Sequence, residues 1–222
     1  MNGYLIPDWT APSNIRAYTV LRTSSHNLSL PSEPVWLNQI HTSNIVDAGM
    51  GRNAQADASY TTQNNIICAI RTGDCLPVLI TDKQGSVVSA IHAGWKSIAK
   101  NILELAIEEL YKQKLNQKLN KDPKDLLVWL GPAISAKYYE VGQDMKDFFL
   151  DYPEGFEAIP NKPGKYLADL YKLARLRLAK LNIEESNIFG GNFCTYSNPE
   201  LFHSARRDKE LSGRLVTMIW KI

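Results

Sequence analysis

Three residues stand where apolar runs meet polar breaks: His41 in "VWLNQIHTSNIV", Cys75 in "RTGDCLPVLITD" and His92 in "SVVSAIHAGWK". Two imidazoles and a thiolate make a competent zinc set, and three protein ligands leave a fourth position for water. Water on such an ion ionises near neutral pH, and the ion polarises a carbonyl or a leaving group. The same residue types support a second chemistry, a cysteine nucleophile activated by a histidine. Cys75 follows His41 by 34 residues and His92 follows Cys75 by 17, so no compact metal signature decides between the two.

Around this trio other side chains offer supporting roles. Asp74, next to Cys75, is suited to general acid–base work, to orienting a ligand from behind, or to capping backbone amides at a strand end. Arg206 and Arg207, in "HSARRDKELSGR", carry the donor fork that grips a phosphate, although a solvated pair is the commoner meaning of such a doublet. The glycines of "GSVVSAIHAGWKSIA" sit near a helix start, where exposed N–H groups favour anions. Cys68 and Cys194 have apolar or neutral neighbours and read as small buried hydrophobes. His26, in the polar "SSHNLS", reads as solvated, and Asp82 and Asp122 read as local turn acceptors.

Short strands must position these residues. Strand composition covers 15–23, one or two short strands span 35–46 with His41 in the middle, and a C-terminal strand ends the chain in "RLVTMIWKI". The apolar runs 65–70, 75–82 and 86–93 are separated by brief Gly- and Asp-containing breaks and predict neighbouring strands. From Trp95 to Leu110 the period changes, with Ile98, Ile102, Leu103, Ala106 and Ile107 forming one helical stripe. The polar "KQKLNQKLNKDPKD" reads as a solvated linker, 126–134 as a buried strand, 141–152 as a short helix and 166–181 as a second amphipathic helix. Strands in groups with helices inserted between them predict an α+β fold.

Bulk composition narrows the partners. With 222 residues, 44% of them apolar and 22% charged, the chain can bury a core without disulfides or structural metals. A net charge of +2 with the two signs interspersed gives no basis for nucleic acid or a membrane surface as a partner. Three cysteines match no disulfide framework and predict a reducing compartment. Neither a basic–apolar leader nor a membrane-length apolar run is found, so the expectation is a cytoplasmic protein.

In order along the chain, "WLNQIH", "ADASYTT", "TGDCLPVLITD", "AIHAGWKSIAKNILE", "WLGPAI" with "YEVG", "GKYLADLYKLARLRLAKL" and "CTYSNPELFHSARRDKELSGR" resemble the YfiH family, also called laccase-domain or polyphenol oxidase-like proteins. The resemblance runs from about Trp36 to the C-terminus. It implies a single α+β domain over 1–222, in which two mixed β-sheets stack and helices cover the outside in four layers, α/β/β/α. It also implies a zinc on His41, Cys75 and His92; by residue type, Cys75 and Asp74 are then the catalytic candidates and Arg206 and Arg207 the substrate-binding ones. Activities assigned in the family are phosphorolysis of adenosine, inosine and methylthioadenosine, adenosine deamination, editing of peptidoglycan precursors by amide hydrolysis, and copper-dependent oxidation of phenols.

The expected partners are a small-molecule nucleoside and phosphate, acting on a monomer. A laccase centre needs several coppers and many histidines, whereas this chain has four, so copper bound in vitro would not bring native laccase chemistry. Before "QIH" the chain has only "LRTSSHNLSLPSEPV", without the family's Gly-rich stretch or its Asn-Arg pair. Thr42 stands where the family has Gly, and His203 and Ala205 where it has Phe and Tyr. A non-catalytic metal-binding protein with a reduced pocket is therefore a further alternative.

Overall fold

Runs of β-branched and aliphatic residues give this chain its strands. The computed structural model describes residues 3–24, 29–116 and 122–222. Along them run β1 (Tyr4–Leu5), β2 (Ile15–Val20), β3 (Ile45–Asp47), β4 (Ala58–Thr61), β5 (Cys68–Thr72), β6 (Leu76–Asp82) and β7 (Val88–Ala93). After two helices, α1 (Trp95–Ala99) and α2 (Ile102–Asn116), come β8 (Leu126–Leu130), β9 (Glu140–Gly142), the short α3 (Gln143–Lys146), β10 (Phe156–Ala158) and β11 (Lys165–Ala168). The chain ends with α4 (Leu170–Lys180), β12 (Ile188–Gly190), α5 (Ala205–Asp208) and β13 (Leu215–Lys221).

Two sheets stack. One has six strands in the order β12-β8-β6-β7-β4-β3 and is mixed, with parallel pairs β8–β12 and β3–β4. The other has four, β1-β2-β13-β5, all antiparallel. A separate three-stranded sheet, β10-β11-β9, lies outside them. Between the stacked pair, Ile15, Ala17, Ile70 and Ile219 meet Leu79, Val88, Ala90 and Trp129. Every residue of β6, β7 and β8 is buried, so these strands read as continuous apolar runs, whereas β2 buries alternate residues.

The far face of the six-stranded sheet offers Val78, Ile80, Ile91 and Val128 to α1, α2 and α4, which contribute Ile98, Ile102, Ile107, Leu173 and Ala174. On the outer face of the four-stranded sheet, Ile67, Ala69, Met218 and Trp220 are covered by Leu30 and Trp36. No helical residue belongs to that cluster, so loops form the fourth layer there. Among the described residues no helix is long and apolar enough to cross a membrane.

Several local expectations change. β5 does not neighbour β6; it pairs with β13, and the turn carrying Asp74 at φ 94° leads the chain from one sheet into the other. The span 35–46 yields only β3 and an isolated bridge between Val35 and Cys68, leaving His41 in irregular backbone. The helix expected from Trp95 breaks at Asn101, which takes φ 64° and accepts a hydrogen bond from Arg177 at 2.7 Å. Residues 165–168 form a strand, not a helical turn, because Asp169 caps α4 by accepting from the Lys172 amide.

Residues 140–142 form β9 before a four-residue helix, and a 3₁₀ turn follows over Asp147–Phe149. The solvated-linker reading fails at Lys114. Its side chain is fully buried, with the ammonium 3.2 Å from Asp82 and 3.7 Å from Asp125. His26 lies outside the described residues.

Candidate metal centre

His41, Cys75 and His92 come from three places in the fold. His41 sits at φ 59° in the loop before β3, Cys75 immediately before β6, and His92 near the end of β7. Their ligand atoms all lie within 4.8 Å of one another. The two imidazole rings are tilted by 55° with centroids 4.8 Å apart.

The pocket suits a metal on two further observations. The Nδ1 of His41 is buried with no hydrogen-bond partner. Gly94, which precedes α1, leaves an opening that no side chain could share. A Cβ there would lie 2.7 Å from His41 Nδ1 and 3.2 Å from Cys75 Sγ. Two nitrogens and a thiol sulfur form a donor set for a borderline or soft divalent ion.

Asp57, just before β4, is the residue that orders the cluster. One carboxylate oxygen lies 2.7 Å from His92 Nδ1, which leaves Nε2 to face the other ligands. The other oxygen accepts from the Thr42 amide at 2.6 Å, the Thr42 hydroxyl at 2.9 Å and the Ile40 amide at 3.3 Å. A single buried acid thus fixes the tautomer of one histidine and the loop that presents the other. Lys100, at the break between α1 and α2, adds a bond from its ammonium to the His41 carbonyl at 3.1 Å.

Electrostatics follow from these contacts. Burial pushes the Asp57 carboxyl up, but the bonds from His92 and Thr42 outweigh it and hold the group at about 2. Burial likewise lowers His92, yet its bonds to Asp57 and Cys75 raise it to about 9. His41 is lowered, by burial first and by the neighbouring His92 second. The contrast comes from pairing: His92 has a carboxylate against its ring nitrogen and His41 does not.

Over the cluster opens a cavity of about 430 Å³. Leu37, Asn38, Gln39 and Thr72 line it together with Arg71 and Arg214, neither of which stood out in the sequence. No carboxylate lines it among the described residues.

The remaining candidates are elsewhere or committed. Asp74 is buried, and its two oxygens accept from the Thr195 hydroxyl and the Arg206 amide, each at 2.6 Å. That is the amide-capping arrangement, joining the turn before β6 to the start of α5. Arg207 uses all five donors internally, on Asp208 and the carbonyls of Thr195, Tyr196 and Phe202, leaving none for a phosphate. Arg206 reaches the Glu140 carbonyl and lies over the Tyr139 ring. Neither arginine lines the cavity. Of the other cysteines, Cys68 behaves as a buried hydrophobe, its thiol pushed up to about 12 by burial. Cys194 is no mere hydrophobe: burial raises its thiol, but hydrogen bonds from Ser135 and Ser197 outweigh it and lower the net value.

Comparison with known proteins agrees with this architecture. The family model described as multi-copper polyphenol oxidoreductase laccase matches residues 15–222. A Pseudomonas aeruginosa protein named purine nucleoside phosphorylase is 35% identical, with 99% of each chain covered. That alignment runs over 251 positions against 222 residues here, so the relative has at least 29 positions without a counterpart in this chain. The Escherichia coli purine nucleoside phosphorylase YfiH is 40% identical over 87% of this chain and 76% of its own. A crystal structure from Neisseria meningitidis superposes with a TM-score of 0.83 at 33% identity, covering 99% of both chains. YlmD of Geobacillus stearothermophilus shares the fold, with a TM-score of 0.85 at 21% identity over 99% of this chain and 96% of its own.

Two stacked sheets thus carry a His–Cys–His cluster that could hold a metal ion. This chain belongs to the YfiH, or laccase-domain, family.

Proposed function

We propose that this protein is a zinc-dependent purine nucleoside phosphorylase. On this reading it takes adenosine, inosine and methylthioadenosine with inorganic phosphate, and deaminates adenosine at the same site. The observation that carries the reading is the His41–Cys75–His92 cluster opening onto a cavity of about 430 Å³, in a chain whose relatives bear the phosphorylase name. We also assign it to the cytoplasm as a monomer; its three free cysteines fit a reducing compartment.

His41, Cys75 and His92 would hold the zinc, which when bound supplies a Lewis acid and lowers the pKa of water. Asp57 would keep the Nδ1 proton of His92 on its far side, so that Nε2 is the nitrogen that gives up its proton to face the ion. In phosphorolysis a phosphate oxygen bonds to C1′ of the ribose as the C1′–N9 bond breaks, and the purine leaves with a proton. Leu37 gives the cavity an apolar wall beside its polar ones.

The test combines metal analysis of the purified protein with chromatography of adenosine and inosine incubated with and without phosphate. The expected result is about one zinc per chain, phosphate-dependent release of free base, and some inosine from adenosine. Nucleoside that stays unchanged under all conditions would end the proposal.

A further inference from the structure

The phosphate grip expected of the Arg206–Arg207 doublet is not available at Arg207, and neither residue lines the cavity. Two other arginines do. Arg71 is the exposed residue of β5, so its side chain projects outward from an otherwise buried strand. Its backbone is locked to Gln39, whose side-chain oxygen accepts from the Arg71 amide and whose amide donates to the Arg71 carbonyl, both at 2.8 Å. The guanidinium lies over the Trp36 ring, 4.1 Å from its centroid. Among the described residues that guanidinium has no hydrogen bond and no ion pair, so its donor fork is held in place by stacking and left free.

Arg214, just before β13, closes the other side. One terminal nitrogen donates to the carbonyls of Ser212 and Gly213, at 2.9 Å each, while the second terminal nitrogen and Nε have no partner among the described residues. The chain passes close to Gly73, where an added Cβ would meet Arg214 Cδ at 3.4 Å and Nη1 at 3.5 Å. Gly73 is two residues from Cys75, so the arginine leans along the backbone that leads to the metal cluster. Asp57, bonded to the ligand His92, and Asp74, next to the ligand Cys75, are committed to Thr42, His92, Thr195 and the Arg206 amide. The cavity therefore has two cationic arms and no acid to oppose them.

We propose that Arg71 and Arg214 form an oxyanion-binding wall of the metal cavity and that its ligand is a phosphate group. Planar guanidinium forks match tetrahedral oxyanions through paired hydrogen bonds, and a fork already held against Trp36 loses less freedom on binding. Trp36 is a positioning residue here: besides covering the outer sheet face, it bears on the ligand through Arg71. The inference deepens the phosphorylase reading, which it takes as the source of the phosphate. An ester phosphate on a nucleotide would present the same chemistry.

The experiment is calorimetric titration of the metal-loaded protein at low salt with inorganic phosphate and, separately, with adenosine 5′-monophosphate. It compares wild type, Arg71→Leu, Arg214→Leu, Arg71→Lys and Trp36→Leu. Both arginines are exposed, and unchanged melting temperatures would establish that their removal leaves the fold intact. Losing either fork is expected to weaken phosphate binding about tenfold or more, with Arg71→Lys intermediate because it keeps charge without the fork. Trp36→Leu is expected to weaken phosphate binding when Arg71 is present and to add nothing in Arg71→Leu.

Steady-state assays should show the KM for phosphate rising in the same proportion while the KM for inosine changes less than about twofold. Binding of adenosine 5′-monophosphate alone, with the same dependence on Arg71, would assign the wall to an ester phosphate. No binding of either compound to wild type, or equal affinities in wild type and both Leu variants, would overturn the wall. Arg71-dependent phosphate binding without base release would sink the phosphorylase reading and leave the wall standing.

Discussion

Asp57 matters most at the scale of single residues, because one carboxylate serves two histidines. Asp57→Asn keeps the shape but weakens the bond to His92 and loses the charge that draws the Thr42 donors. Metal affinity is expected to fall about 10–100-fold, read by competition with a chromophoric chelator. Gly94→Ala tests the opening itself: its methyl would take space beside His41 Nδ1. Purified Gly94→Ala protein should carry little metal although all three ligands remain, whereas full metal content would show that the ring can step aside. A different effect belongs to Asp208, whose carboxyl the Arg207 guanidinium holds below its ordinary value of 3.8.

A folded-state value below the unfolded one adds stability above about 3.8 and loses it as pH drops through the folded value. Asp208→Asn should therefore narrow its deficit against wild type in acid melts, and a deficit independent of pH would contradict this. The His–Cys–His trio was visible in the sequence because each member stands where an apolar run meets a polar break. Asp57 was not, although it lies in a quoted motif, because its meaning rests on partners 15 and 35 residues away. Arg71 and Arg214 were hidden for the same reason: nothing local distinguishes a free guanidinium from a solvated one.

Among the elements, α2 is anchored by a charge as well as by its apolar stripe. Lys114 points into the protein, where Asp82 also accepts from the Ser86 amide and hydroxyl at 2.7 Å each. Removing one member of a buried pair leaves the other uncompensated. Lys114→Met should cost about 3–5 kcal/mol in urea unfolding. A loss within about 0.5 kcal/mol, the range of an ordinary surface change, would show that Ser86 alone suffices for Asp82. Sequence periodicity located both long helices and most strands but missed the joints. The break at Asn101 leaves the apolar stripe intact on both sides, so no change of period announces it. The boundary at Asp169 was missed, because "YLA" fits helix and strand equally well until β9 and β10 flank it.

For the molecule as a whole, the α+β class and the stacking of sheets follow from grouped apolar runs and family likeness. Strand order does not, since a short break between β5 and β6 reads as a hairpin although it joins two sheets. Loading the apoprotein with zinc should raise the melting temperature by several degrees, and chelation should reverse it. A midpoint that ignores zinc would mean that the cluster is not a binding site.

The crossing at Asp74 has one more consequence. His92 lies in the six-stranded sheet, with His41 and Cys75 beside it, while Arg71 lies in the four-stranded one and Arg214 just before its strand β13. The cavity is thus a seam, and whatever fills it adds a fastening between two layers that also meet through apolar packing, the turns between them and bonds such as those from Lys221 of β13 to the Thr62 and Ser86 carbonyls. Neither layer alone holds a complete site, so opening of the sandwich and departure of its occupant become a single event.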